Sequence, residues 1–566
     1  MTTLELLALA ALLLVVQFAI LAASIWLGTK IVRIQTAGVP RSTAVAGIWI
    51  GLNVLLLPPV LWLQTDVLPS LSHHSIAAAI SLLVAVVAFV ILLEAWVVKR
   101  AFRPSTKQTI GATLIALLIS TLGGLAIAHG FRSLITEAFV IPTGSMAPTI
   151  YGAHADVICG NCGRGFAVSM SDRFTADGQR AFDVGTTHTI CPNCGHVTDL
   201  GSDAPILGGD RIIVDKTTEP KRWEIIVYEI PQQPVDNVLR PAAPPQTTKV
   251  NYDKRLVALP GESLTIAEGD LFIGGSRLIK KPDEQLDLWF LVHDTQYLPK
   301  TFDAQTARWE ADAESAWKIG KDGSWKFSSH EADVRQLDFR GAITNHLAYN
   351  AETEGRPIPR DLPLRDVRVD CSAQQFGGTG SWGIRWEFNG QETRCEFTVD
   401  GAVKLSREPT DGSPLRDALP SEATGKLAAT TGHEISLAVR DGWAYVMDDG
   451  HPCVRLQFAS ERLDDLSKQF DPKPGQLSIF ASNCDLQLQR IKISRDVYYT
   501  SDSKRQMDPL PSNRFSATLG PDEFFVLGDN SQASADSRFM GPSKMSAIIG
   551  VVRWRYWPLS RMAIFR

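Results

Sequence analysis

Pro142-Thr143-Gly144-Ser145-Met146-Ala147-Pro148-Thr149 begins about a dozen residues past the last long apolar segment, which ends near Ala128. Two prolines restrict the backbone, and Gly144 leaves the space beside the serine free of a side chain. That is how a chain presents one hydroxyl from a fixed, open loop. Taken alone, the octapeptide reads equally well as a Pro/Gly-rich loop holding an ordinary serine. The stretches on either side decide between the two.

Upstream, residues 1–130 are mostly apolar, whereas the rest has the composition of a water-soluble chain. Four segments, at 4–27, 44–63, 76–98 and 110–128, are each long enough to span a bilayer at ~20 residues per crossing. The first lacks a basic start in Met1-Thr2-Thr3 and is too long for a cleaved leader. Pro58-Pro59 predicts a kink in the second. Lys30, Arg33 and Arg41 occupy the first short loop, and Lys99, Arg100, Arg103 and Lys107 the third. The second loop, at 66–74, has no Lys or Arg. The positive-inside rule then puts the first and third loops in the cytoplasm and everything after Ala128 outside it. The expectation is a transmembrane helical bundle in contact with lipid, carrying a large extracytoplasmic portion. With 566 residues the chain exceeds one domain, and its net charge of −5 gives no footing for nucleic acid.

Downstream, Cys159-Gly-Asn-Cys162 and Cys191-Pro-Asn-Cys194 are separated by 28 residues, and each pair is followed by a glycine, Gly163 or Gly195. Four thiolates at this spacing suit a closed, tetrahedral structural zinc site, a zinc ribbon. Outside the cytoplasm, two disulfides are the competing reading. With Cys159, Cys162, Cys191 and Cys194 all engaged, no coordination position is open for catalysis, and His196 stands by.

Two strand patterns follow, Gly209-Asp-Arg-Ile-Ile-Val-Asp215 and Trp223-Glu-Ile-Ile-Val-Tyr-Glu-Ile230, read as neighbours joined by a polar turn. Tyr252-Asp-Lys-Arg-Leu-Val-Ala-Leu-Pro-Gly-Glu262 is an apolar strand opened by two cations. Because alternate side chains take opposite faces, Lys254 can face a buried site while Arg255 faces away. Near the other end lies Phe524-Phe-Val-Leu-Gly528-Asp529-Asn530-Ser531-Gln-Ala-Ser534-Ala-Asp536-Ser537-Arg538, a buried strand running into a polar loop. Asp536 and Arg538 are spaced to pair and brace it.

Ser145 in its Pro-Thr-Gly-Ser-Met-Ala-Pro-Thr setting, the Gly-Asp-Arg strand, Lys-Arg-Leu-Val-Ala-Leu-Pro-Gly-Glu and the Gly528–Arg538 loop come in the order found in bacterial type I signal peptidases. The chain resembles that family of membrane-bound Ser/Lys peptidases over roughly 131–158, 205–280 and 515–555. The resemblance implies Ser145 as nucleophile and Lys254 as general base; none of the eleven histidines lies inside these motifs. It implies an oxyanion site from the Ser145 N–H and the Thr143 hydroxyl. It also implies a hydrogen bond from Ser534 to the lysine, a supporting ion pair of Asp536 with Arg538, and Asp529 in the same loop. Ile141, Pro142, Met146, Ile150 and Tyr252 match substrate-pocket positions for the small residues of an Ala-x-Ala cleavage site. Asp253 departs from the family, where that position is usually apolar; a carboxylate approaching Lys254 would raise the lysine pKa, whereas one turned outward would not. No catalytic cofactor is implied. The implied partners are secretory preproteins and the secretion translocon, at a bacterial cytoplasmic membrane.

Residues 283–500 lie outside the family core and show alternating strands with Asp-Gly and Asn-Gly turns, the pattern of a β-sandwich. This stretch is similar to concanavalin/laminin-G jelly rolls. Trp289, Trp382, Trp386 and Trp443 read as core before ligand surface, and Cys371, Cys395, Cys453 and Cys484 as candidates for disulfides. The expected layout is a membrane domain (1–130), core segments 131–158, 205–282 and 501–566 forming a mainly-β catalytic domain, a zinc-ribbon insertion (159–204) and the sandwich insertion (283–500). A different class remains open, a membrane-anchored glycan- or protein-binding protein with a decayed peptidase core. So does a self-cleaving Ser/Lys fold.

Overall fold

The computed structural model describes the chain apart from residues 1–2, 63–75, 170, 175–179, 184–187, 201–205, 232–248, 281–287, 301–307, 312–315, 351–361, 413–414, 416, 418, 429–431, 467–471, 502–513 and 566. It has two units, Met1–Glu137 and Ala138–Arg566.

The first unit is helical, with Thr3–Ile31, Val39–Trp62, Ile76–Phe102 and Thr106–Leu134. Ile25, Val45, Trp49, Val97, Phe102 and Ala112 pack into one apolar cluster. Among the described residues one helix, Thr106–Leu134, is long and apolar enough to cross a membrane, and Val15–Ile31 is a shorter apolar stretch. Of the expected four spans, 110–128 lies in that helix. Spans 4–27, 44–63 and 76–98 run partly over side chains outside the described residues, and the loop at 66–74 lies wholly outside them.

In the second unit the motif strands assemble an antiparallel sheet. Its central order is Arg211–Asp215, Ile548–Trp557, Ile225–Pro231, Lys249–Ala258 and Glu523–Leu527. The two strands expected to be neighbours are thus split by Ile548–Trp557, which pairs Val551 with Asp215 on one side and with Ile226 on the other. Alternation specifies which face a residue takes, not which strand lies beside it. Ile141, Met146, Ile150, Ile212, Val214, Ile225 and Val227 fill one cluster, and Ile226, Tyr228, Leu256, Phe524 and Val526 another. A smaller sheet, ordered Ser276–Arg277, Asp270–Ile273, Ser263–Ala267, Arg514–Thr518, shares its core with Val257, Phe525 and Leu527.

The insertion is built on two long strands, Val367–Phe388 and Gln476–Arg495. Bulges between Asp370 and Ser381 interrupt their pairing, and such irregularities let a strand bend. The first half of Val367–Phe388 pairs with His433–Arg440 and the second half with Gln391–Thr398. Inward residues of both halves, Val367, Val369 and Leu437 from one and Trp382, Ile384 and Phe397 from the other, meet in a single core. The result is a sandwich-like fold, as the alternation predicts. Trp382 and Trp386 are buried in that core, while Trp289 and Trp443 are half-buried.

All eight cysteines are free thiols, which corrects the expectation of disulfides among Cys371, Cys395, Cys453 and Cys484. Cys371, Cys395 and Cys484 point inward as core residues, and the Cys453 thiol donates to the Lys426 carbonyl at 3.2 Å.

Charges fasten the sandwich to the smaller sheet. Buried Lys280 contacts Asp441 at 2.7 Å and Asp496 at 2.8 Å, and Arg365 contacts Asp270 at 2.6 Å and Asp366 at 2.9 Å. Burial alone would lower the Lys280 pKa; Asp441 and Asp496 outweigh it, and the net shift is upward.

Candidate functional site

Ser145 is brought to Lys254 across 109 residues of sequence, with Lys254 Nζ donating to Ser145 Oγ at 2.7 Å and to the Asp253 carbonyl at 2.8 Å. The serine is buried to 7% exposure and the lysine to 2%. Register explains the placement. Lys254 lies opposite Ile226 and Tyr252 opposite Tyr228, so the amine shares a face with an apolar cluster that includes Leu256 and Phe524. The ammonium sits 5.6 Å from the Tyr252 ring centroid. Burial lowers the lysine pKa from its ordinary value, opposed by the charges of Asp253, Asp536 and Asp529.

Arg255 takes the other face, as alternation requires, but is buried too. Its Nε and Nη2 donate to Asp529 Oδ1 and Oδ2 at 2.7 and 2.6 Å, and Nη1 to the Trp223 carbonyl at 2.6 Å. Asp529 also accepts from Thr149 Oγ1 at 2.5 Å. This one carboxylate therefore ties the Lys254 strand, the Ser145 loop and the C-terminal loop together. The sequence reading missed the pair; its only signal was an arginine beside the lysine and an aspartate after Gly528. Asp253, on the Arg255 face, is buried, and among the described residues its Oδ2 has no hydrogen-bond partner. Burial raises its carboxyl to about 6, with Lys254 pulling the other way. The side chain is thus not turned outward, and its charge opposes the downward shift of the Lys254 pKa.

Asp536 and Arg538 pair in two contacts, Nε to Oδ1 at 2.9 Å and Nη2 to Oδ2 at 2.8 Å, and the Gly528 N–H donates to Asp536 Oδ2 at 3.0 Å. Arg538 also donates to the Thr500 carbonyl at 2.7 Å. The expected hydrogen bond of Ser534 to the lysine is absent: Ser534 Oγ is buried without a partner among the described residues. It lies where a Cβ on Gly528 would come within 2.2 Å, so any side chain at Gly528 would collide with Ser534 and with the Ser145 carbonyl.

Of the expected pocket positions, Ile141, Met146 and Ile150 are buried, Pro142 is exposed, and Tyr252 is half-buried beside Lys254. Thr143 is exposed, and among the described residues the Ser145 N–H has no acceptor. Asp210, from the Gly-Asp-Arg motif, accepts from the Tyr151 N–H at 2.7 Å and holds the far end of the loop.

The four paired cysteines meet in one cluster. Cys159 and Cys194 sulfurs are 3.7 Å apart and those of Cys162 and Cys191 3.6 Å. A disulfide requires ~2.05 Å, whereas a tetrahedron with ~2.3 Å metal–sulfur bonds has edges of ~3.8 Å. Gly163 and Gly195 each have φ of 74° and close matching turns onto the Cys159 and Cys191 carbonyls at 2.9 Å. The donor set and its geometry fit a closed metal site. This knuckle rests on the sandwich: Arg164 donates to the Val292 and Leu291 carbonyls at 3.1 Å, and Asn193 Oδ1 accepts from the Asp294 N–H at 2.7 Å.

A family profile described as signal peptidase, peptidase S26, matches residues 196–309 and 474–557, which include Lys254, Asp529, Ser534, Asp536 and Arg538 but not Ser145. A signal peptidase I of Streptococcus pneumoniae is 37% identical over 54 residues, 10% of this chain and 26% of that protein. One from Bacillus caldolyticus is 49% identical over 43 residues, 8% of this chain and 24% of that protein. The chain spans about a quarter of the length of these curated relatives. Among solved structures, a carbohydrate binding module (CBM66) from Bacillus subtilis matches at 7% identity and TM-score 0.21, covering 32% of this chain and 93% of that chain. A laminarinase from Rhodothermus marinus matches at 15% identity and TM-score 0.25, covering 37% and 98%. Likeness at these scores carries no conclusion about the insertion.

The Arg255–Asp529 pair generates a stability prediction. Asp529→Ala leaves a buried guanidinium uncompensated and should cost about 3–5 kcal/mol. Replacing both, Arg255→Met with Asp529→Leu, should recover most of that loss. Denaturant unfolding of the three proteins checks it; equal losses in the single and double variants would contradict it.

Proposed function

We propose that this protein is a serine endopeptidase of the signal peptidase I type, removing signal peptides from translocated preproteins after small residues of the Ala-x-Ala pattern. The observation that carries the reading is the 2.7 Å contact between Ser145 Oγ and a lysine amine buried to 2%. Support comes from the peptidase S26 match over the strand bearing Lys254 and the loop bearing Asp536 and Arg538.

Desolvation holds part of the Lys254 population neutral, and a neutral amine accepts the Ser145 proton. The freed alkoxide attacks the scissile carbonyl; the carbonyl π bond breaks and the oxygen takes the charge. The Ser145 N–H and the Thr143 hydroxyl stabilise that oxyanion. The carbonyl re-forms, the scissile C–N bond breaks and the lysine gives its proton to the leaving amine; water, deprotonated by the same lysine, then attacks the acyl-enzyme, whose ester C–O bond breaks as the lysine returns the proton to Ser145. Asp529, Asp536 and Arg538 hold the loops and touch no reacting atom. Cys159, Cys162, Cys191 and Cys194 would hold a structural Zn²⁺ whose role is to fix the knuckle, with all four positions filled. The same reading puts the chain in a bacterial cytoplasmic membrane as a multi-pass protein, with the peptidase unit outside the cytoplasm. Its support is the apolar helix Thr106–Leu134 and the basic residues of the short loops.

The direct test is cleavage of an Ala-x-Ala preprotein by the detergent-solubilised full chain, beside Ser145→Ala and Lys254→Ala. Wild type should cut after the second alanine, and each variant should fall by more than about 10³-fold. An inert, folded wild type would overturn the reading, and activity surviving in Lys254→Ala would remove the lysine from its role. The pH profile gives a second test. Above about 6, Asp253 is ionised and favours the ammonium form of Lys254. Asp253→Asn should therefore move the acid limb of kcat/KM to lower pH. A limb that stays put or moves upward would contradict that sign.

A further inference from the structure

One short turn of the sandwich insertion, Ala348–Asn350, lies on the nucleophile loop rather than within the sandwich. Tyr349 is 4% exposed and stacks on Tyr151 with ring centroids 5.1 Å apart and planes at 14°. Its ring fills the place where a Cβ on Gly144 would sit, 2.0 Å from the nearest ring carbon. The glycine before the nucleophile is thus required by a residue some 200 positions away, since a methyl group there could not coexist with the tyrosine.

Asn350 makes the more telling contact. Its amide pairs with that of Asn530 in both directions, Asn350 Nδ2 to Asn530 Oδ1 and Asn530 Nδ2 to Asn350 Oδ1, each at 2.7 Å. Asn530 Nδ2 also donates to the Gly144 carbonyl at 3.0 Å, and the Asn530 N–H donates to the Ser145 carbonyl at 3.1 Å. The Gly144 carbonyl and the Ser145 N–H belong to one planar trans peptide and point in opposite directions. Whatever fixes the Gly144 oxygen aims the Ser145 N–H; that oxygen accepts from the Ala147 N–H at 3.1 Å within the loop, and Asn530 is the tie from outside it. An asparagine amide rotates readily about its last torsion, so Asn530 needs a partner to keep its nitrogen toward Gly144. Among the described residues, that partner is Asn350.

We propose that Asn350 is a positioning residue for the peptidase site: acting through Asn530, it orients the Ser145 N–H, so that the insertion completes the oxyanion donor set. This rests on Ser145 being the nucleophile. It assigns the insertion a part in turnover independent of any ligand it binds.

The test compares full-length, detergent-solubilised wild type, Asn350→Leu, Asn350→Asp and Asn530→Leu on an Ala-x-Ala preprotein. Leucine keeps the shape and removes both hydrogen bonds; aspartate keeps the acceptor for Asn530 Nδ2. Asn350→Leu should lower kcat by about tenfold to a hundredfold, short of the ~10²–10³ seen when an oxyanion donor is deleted outright. KM should stay within about twofold, as expected when an interaction acts in the transition state. Asn350→Asp should regain a large part of kcat, and adding Asn350→Leu to Asn530→Leu should cause no further loss. Wild-type kcat in Asn350→Leu overturns the proposal, as does an equal loss in the leucine and aspartate variants, which would mark a structural role alone. An inert wild type sinks instead the peptidase reading beneath it, so the two failures are distinguishable.

Discussion

Taking one ammonium out of water is the constraint on which the rest of this site depends. A lysine amine is a useful base only when the cost of desolvation competes with protonation, at ~1.4 kcal/mol for each pKa unit. Lys254 meets that condition because its strand places it on the apolar face with Ile226, Tyr228 and Leu256. The same strand also presents Asp253 and Arg255 to the opposite face. Nearby carboxylates oppose the effect, because they favour the ammonium form. Asp529 is paired with Arg255 at 2.6 Å, and Asp536 with Arg538 at 2.8 Å. Asp253 is buried and its carboxyl is pushed up to about 6; above that pH its charge also favours the ammonium form of Lys254.

Those compensating pairs also connect the three sequence-distant parts of the core. Asp529 joins the Lys254 strand to Thr149 of the Ser145 loop, and Arg538 reaches back to Thr500 at the end of the sandwich. The insertions are fastened at several points: the cysteine knuckle against Leu291–Asp294, Lys280 against Asp441 and Asp496, and the Ala348–Asn350 turn against Gly144 and Asn530. An insertion so anchored is a structural component of the second unit.

What the sequence made legible was local. The Ser145 loop, the Lys254 strand and the Asp536–Arg538 spacing each carry their chemistry within a dozen residues, and the structure brings Ser145 to Lys254. Alternation in 384–388 and 435–439 correctly marked a buried face. Partners across the chain were not legible. Nothing in Ile548–Trp557 says that it inserts between Arg211–Asp215 and Ile225–Pro231, because periodicity is silent on neighbours. Ser534 was expected to bond the lysine, but its hydroxyl packs against Gly528 instead. The scattered cysteines suggested bridges, yet cysteine is also a small apolar residue and most of them sit in the core. Asn350 stands in no motif at all; only the folded chain brings it to Asn530.

The measurement that bears most directly on the central account is the rate at which a serine-directed acylating reagent modifies Ser145 as a function of pH. Desolvation of Lys254 predicts a rate that rises with pH through a midpoint below the ordinary lysine value and collapses across the range in Lys254→Ala. A pH-independent rate, or one equally fast without Lys254, would contradict the claim that the buried amine activates the serine.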